Sequence, residues 1–212
     1  MWFGLLGPLL GTALGAGTVL GMPVGSKKGN AALAGAAAGA MTAACIWNLL
    51  LPALEGSRGW ALAGFLAGLL GLLIPRHLPG ARFAPGTALM LAVVLHNIPE
   101  GMAVGTGESA GLTLGIALQN IPDGAVAAVP LLALGFSRRR AFFAGVLSGA
   151  VEPLAAGLMM AFSGRLEPMM PALLGFAAGA MANVITLELA PEQGKSGWGT
   201  VCFALGFLLM AG

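Results

Sequence analysis

Along the chain, apolar runs of membrane-crossing length alternate with short clusters of Gly, Pro and charged residues. A spanning helix needs about 20 mostly apolar residues, within a range of about 17–25. On that criterion the pattern predicts eight helices, at approximately 1–24, 31–54, 59–75, 86–107, 110–135, 140–163, 169–190 and 197–212. The breaks read GSKKGN, LEGSRG, PRHLPGARFAPG, GTGESAG, GFSRRRA, SGRLEP and PEQGKSG. All are short, so a single transmembrane domain over 1–212 is expected. The opening MWFGLLGPLLG lacks a basic leading segment and reads as a first helix rather than a secretory signal.

Composition agrees with a lipid environment. The chain is 58% hydrophobic and 8% charged, with mean hydropathy +0.90. A soluble domain carries roughly 25% charged residues, so too few are present to cover a water-facing surface. The 35 glycines suit closely packed membrane helices. A net charge of +2 without an aromatic–basic patch argues against a nucleic-acid partner. Cys45 and Cys202 lie inside apolar runs, form no CxxC pair and define no disulfide framework.

Charge placement tests the helix count. Numbering the breaks in order, the odd ones hold Lys27, Lys28, Arg76, Arg82, Arg138, Arg139, Arg140 and Lys195. The even ones hold Arg58 and Arg165, which completes the ten Lys and Arg. Positive residues favour cytoplasmic loops. The alternation therefore predicts odd loops inside and both termini extracytoplasmic. Removing any interior helix from the count would destroy it.

The candidate chemistry lies in two stretches. LHNIPEGMAVG, 95–105, places His96, Asn97, Pro99 and Glu100 inside an apolar run, and LQNIPDGAVA, 118–127, repeats the arrangement 23 residues later with Gln119, Asn120, Pro122 and Asp123. His96 and Glu100 are four residues apart and share a helix face, as do Gln119 and Asp123. Asn97 and Asn120 sit about 100° round from them and add a second set of oxygens. Pro99 and Pro122 donate no backbone hydrogen bond, which leaves the carbonyls of Leu95 and Leu118 short of a partner and predicts kinks. On the next helix Glu152 precedes Pro153.

A charged residue at a helix centre costs about 2.5–3.5 kcal/mol, so ionised Glu100, Asp123 and Glu152 would cost roughly 8–10 kcal/mol unpaired. No Lys or Arg lies in the interior of the spans to neutralise them, Arg140 standing at the edge of the sixth. Protons and metal cations remain. Imidazole with carboxylate and no thiolate suits Zn2+, Fe2+, Mn2+ and related divalent ions rather than Cu+. Neutral Asn97, Gln119 and Asn120 add ligands without added charge, so an ion can still leave.

At these residues the chain resembles the ZIP (Zrt/Irt-like protein) family of divalent metal transporters, closest to its bacterial, GufA-like branch. HNIPEG at 96–101 matches the fourth-helix motif HNxPEG, and QNIPDG at 119–124 matches [HQ]xxPEG with Asp in place of Glu. AGAAAGAMTAACIWNLLLPALE, 34–55, and LGFAAGAMANVITLELAPE, 174–192, resemble the second and seventh helices. The resemblance implies an all-α, eight-helix bundle in the bacterial inner membrane, with both termini extracytoplasmic. It implies inward transport of divalent cations, Zn2+ first and Cd2+, Fe2+ or Mn2+ after it. It also implies a binuclear centre. His96, Glu100, Gln119 and Asp123 would form one site. Asn97, Asn120 and Glu152, sharing Glu100 and Asp123, would form a second, and the shorter Asp123 and uncharged Asn120 predict that this second site is weaker or regulatory. Metal is the substrate, and no organic cofactor is implied. Family members are thought to shift one helix bundle against another in an elevator-like motion, and many are homodimers.

Weaker signals are Glu188 and Glu192 as exit residues or a solvated helix end, Asn48 at the entrance or else in capping or interhelical bonding, and Glu108 in a surface loop. Three other readings stand beside the carrier. A metal channel would show flux that does not saturate. An intramembrane metalloenzyme would use Glu152 as a base, although no HExxH motif is present. A proton-conducting or structural protein would show no metal affinity.

Overall fold

The computed structural model describes residues 2–21, 27–77, 87–105, 110–133 and 136–211. Among them every regular element is helical. Backbone polar groups in lipid must be satisfied within their own segment, and a helix achieves this.

The described helices run as eight rods. They are α1 (Trp2–Gly21), α2 (Lys27–Gly56), α3 (Arg58–His77), α4 (Thr87–Gly105) and α5 (Ala110–Ala133). Next comes α6, in two pieces, Arg138–Gly149 and Val151–Leu166. Then α7 runs through Met170–Val184, Ile185–Leu189 and Ala190–Gln193, and α8 is Gly197–Ala211. Each rod covers most of one predicted apolar run. The boundaries shift where charged residues join a helix. Lys27 and Lys28 open α2, because long basic side chains at a helix end can reach outward to water. Arg138 to Arg140 open α6, with Ser137 as N-cap accepting from the Arg140 amide at 3.4 Å. Arg82 and Glu108 lie outside the described residues.

The expected disturbance at Pro99 and Pro122 is not where helical geometry changes. Helix continues through both residues. The departures fall instead in π-helical turns, Cys45–Leu50 of α2 and Ile185–Leu189 of α7, and at Phe162 of α6 (φ −132°, ψ 28°). π-turns often accompany functional sites.

The rods pack chiefly as pairs: α1 along α5, α2 along α8, α3 along α7, and α4 along the second piece of α6. Small residues make these approaches close. Gly15 of α1 rests on the backbone of Ile121, and Gly101 of α4 rests on that of Glu152, with no room for a side chain at either. The pairs assemble into two groups. One holds α1, α4, α5 and α6; the other holds α2, α3, α7 and α8. They meet where α4 lies on α7 and α2 lies on α5. The largest core cluster is there, joining Met41 and Leu49 of α2, Val93 of α4, Val126 of α5, and Met181 and Val184 of α7.

The outer surface is apolar. Leu14, Trp60, Phe143, Leu147, Leu154 and Leu209 are all exposed. A soluble monomer rarely shows such a surface, whereas lipid would cover it. By length and composition alone, two continuous helices among the described residues qualify as membrane spans: Lys27–Gly56, and Arg138–Leu187, which joins α6 to α7 through the short turn Glu167–Met169.

Candidate metal site

The polar residues read from the sequence converge inside the first group of helices. Asn97 and Glu100 lie on α4, Gln119, Asn120 and Asp123 on α5, and Glu152 at the start of the second piece of α6. All six are buried; Glu100 is 3% exposed, and Asp123 and Glu152 are 1% exposed. His96 lies on α4 beside Asn97, and its side chain is outside the described residues, as are those of Glu188 and Glu192.

Amides tie these helices together. Gln119 Nε2 on α5 donates to Glu100 Oε1 on α4 at 2.5 Å. Asn120 Nδ2 donates to Glu152 Oε2 at 2.6 Å and to the Pro8 carbonyl at 3.2 Å, linking α5 to α6 and α1. Asn97 Nδ2 donates to the Ser148 carbonyl at 3.0 Å, linking α4 to the end of the first piece of α6. The carboxylates of Glu100 and Glu152 thus accept charge-assisted hydrogen bonds from neutral donors, which stabilise them without cancelling their charge.

Each asparagine spends its NH2 group on the protein and keeps its oxygen uncommitted. Asn97 Oδ1 and Asn120 Oδ1 are buried and have no hydrogen-bond partner. A buried polar atom in that condition costs about 1–3 kcal/mol. These two oxygens and the buried carboxylates of Glu100, Asp123 and Glu152 are hard, cation-seeking donors carried on the same three helices. Among the described residues, no three His, Cys, Asp or Glu side chains already stand together as a shell around an ion. Glu100 and Glu152 are instead each met by an amide, from Gln119 and Asn120.

One participant was not legible in the sequence, and another lies deeper than its main reading expected. Thr12, on α1, is fully buried, and its Oγ1 lies 3.3 Å from both Glu152 Oε1 and the Pro8 carbonyl. The only sequence signal was a polar residue between Gly11 and Gly15, where α1 approaches α5 closely. Asn48, expected at an entrance, reaches into the site itself. Its Nδ2 donates to Gln119 Oε1, and it comes from α2, in the other group of helices.

Comparison with known proteins bears on this arrangement. A family model described as ZIP Zinc transporter matches residues 76–212, which include all seven candidate ligands. Zinc transporter ZIP11 of Homo sapiens is 48% identical over 139 residues, covering 58% of this chain and 40% of the relative. Zinc transporter GufA of Myxococcus xanthus is 34% identical over 140 residues, covering 61% and 55%. Zinc transporter ZIPB of Bordetella bronchiseptica is 34% identical over 131 residues, covering 57% and 42%. The chain spans about half the length of the curated relatives it matches.

Proposed function

The chain belongs to the ZIP zinc transporter family, a family of membrane transporters rather than enzymes, and from that premise we propose that it carries divalent transition-metal cations into the cytoplasm. Zn2+ is the first-choice substrate, in line with the names of its relatives. Cd2+, Fe2+ and Mn2+ suit the same donors. The ligands are His96, Asn97, Glu100, Gln119, Asn120, Asp123 and Glu152. The observation that carries the reading is the pair of buried, unpartnered asparagine oxygens, Asn97 Oδ1 three residues before Glu100 on α4 and Asn120 Oδ1 three residues before Asp123 on α5, with Asn120 also bonded to Glu152. A divalent ion would occupy those oxygens and offset the carboxylate charge in one step.

The division of the helices supports a carrier. Every proposed ligand lies on α4, α5 or α6, all in one group. The boundary with the other group is lined by small and apolar side chains such as Ala127, Val126, Ala177 and Met181. A surface of that kind can slide without breaking ion pairs. Elevator-like movement of α1, α4, α5 and α6 against α2, α3, α7 and α8 is the corresponding mechanism. The protein is multi-pass in the bacterial inner membrane, with eight spans and both termini outside. Lipid covers its apolar perimeter, and the homodimeric state common in the family is carried over as part of the same reading.

The test is metal uptake into proteoliposomes containing the purified protein, with Zn2+ and Mn2+ offered separately over a concentration series. Saturable uptake is expected for the wild type, reduced by about tenfold or more in Glu100→Ala and Asp123→Ala. Flux that rises without saturating would replace the carrier with a channel. Folded wild-type protein that moves no metal would end the transport reading.

A further inference from the structure

We propose that Asn48 is a positioning residue that couples metal occupancy to the contact between the two groups of helices, through reversal of the Gln119 amide. The inference rests on the assignment of Gln119 as a ligand made above.

The hydrogen bonds run in one direction. Asn48 Nδ2 donates to Gln119 Oε1, and Gln119 Nε2 donates to Glu100 Oε1 at 2.5 Å. A carboxylate only accepts, so Gln119 must turn its NH2 towards Glu100 and its oxygen towards Asn48. Asn48 must then donate. In this state the ligating atom of Gln119 is engaged by a residue of the other group and points away from Glu100.

A metal held by Glu100 needs that oxygen, because an amide NH2 does not ligate. The Gln119 amide must turn over about its terminal torsion, which is broad and roughly two-fold. Its NH2 then faces Asn48 and requires an acceptor. Asn48 can supply one by turning its own amide and presenting Oδ1. A side chain that both donates and accepts therefore serves the empty and the loaded site in turn. Asn48 sits in the π-helical turn Cys45–Leu50 of α2, while Gln119, 1% exposed, sits on α5. Loading the site thus reverses a hydrogen bond across the boundary along which the two groups would move.

Asn48→Asp is the discriminating variant. It matches asparagine in shape at an exposed position but only accepts, so it opposes the empty arrangement and favours the loaded one. Calorimetric titration with Zn2+ should show Kd lowered by about tenfold, with proteoliposome uptake saturating at lower Zn2+ and turning over more slowly. Asn48→Ser, whose hydroxyl donates and accepts, should stay within about twofold of wild-type Kd. The added charge of Asp is separated by a double-mutant cycle with Gln119→Ala. In that background Asn48→Asp should change Kd by less than about twofold. An equal gain in both backgrounds means that charge alone acts and overturns the relay, leaving the metal site intact. Unchanged Kd in Asn48→Asp overturns the relay as well. Wild-type protein that binds no Zn2+ overturns the site and the relay together.

Discussion

Asn120 shows how much of this site is decided by which end of an amide faces the protein. Its NH2 group is held by Glu152 and Pro8, and its oxygen faces no hydrogen-bond donor. Asn120→Asp removes the donor and sets a second carboxylate against Glu152. Losing a hydrogen bond to a charged group costs about 1.5–3 kcal/mol, and repulsion adds to it. Thermal unfolding in detergent with a chelator should therefore fall by several degrees. Added Zn2+ should reverse the order, since the variant offers one more anionic ligand. Equal stabilisation of variant and wild type by Zn2+ would count against Asn120 as a ligand. The i, i+4 spacing of Gln119 and Asp123 was legible in the sequence, because helix periodicity alone puts them on one face. The roles of Thr12 and of the Ser148 and Pro8 carbonyls were not. They depend on contacts between helices far apart in the chain, and backbone acceptors leave no mark on the sequence.

The elements were legible wherever hydrophobic length decides them. Each rod follows an apolar run, and the main differences are basic residues drawn into the first turns of α2 and α6. The π-helical turns were not foreseen, since Cys45–Leu50 and Ile185–Leu189 read as ordinary apolar helix. The short GTGESAG break makes α4 and α5 expected neighbours, but the other pairings were foreseen only as a general abundance of glycine. The close contact of α4 with α6 gives that abundance a specific meaning at Gly101, where a Cβ would fall 2.7 Å from the Cα of Glu152. Gly101→Leu should force the two helices apart, cost about 1–3 kcal/mol and shift Glu152 relative to Glu100. Gly157, on the same α6 piece but with open space where a Cβ would sit, is the control. Gly157→Ala should be neutral or stabilising by up to about 1 kcal/mol. The measurement is unfolding temperature together with Zn2+ affinity. Similar behaviour of the two variants would mean that the α4–α6 contact does not set the site.

At the scale of the molecule, the ends of the rods sort the charges. The Arg138 guanidinium donates to the Leu20 carbonyl at 3.5 Å, so the end of α1 and the start of α6 lie together. Gly199 of α8 lies against the Gln193 and Ala31 carbonyls, which brings the α7–α8 turn to the start of α2. Lys27, Lys28, the three arginines of α6 and Lys195 therefore belong to one end. At the other end Gly56 touches Pro171, joining the α2–α3 and α6–α7 turns that carry Arg58 and Arg165. Six of the eight basic residues of the odd breaks thus share one end, and a cytoplasmic position for that end would set the side from which metal enters on the proposed reading. The free cysteines Cys45 and Cys202 would first be replaced by alanine. Single cysteines would then be placed at Ser57, in the α2–α3 turn, and at Ser137, ahead of α6. A membrane-impermeant maleimide applied to intact cells should label Ser57→Cys at once, and Ser137→Cys only after permeabilisation. The opposite pattern would invert the protein in the membrane. The proposed site and the proposed carrier motion would survive that result, but the direction would not, because the α2–α3 end would then face the cytoplasm and the same cycle would be read as export.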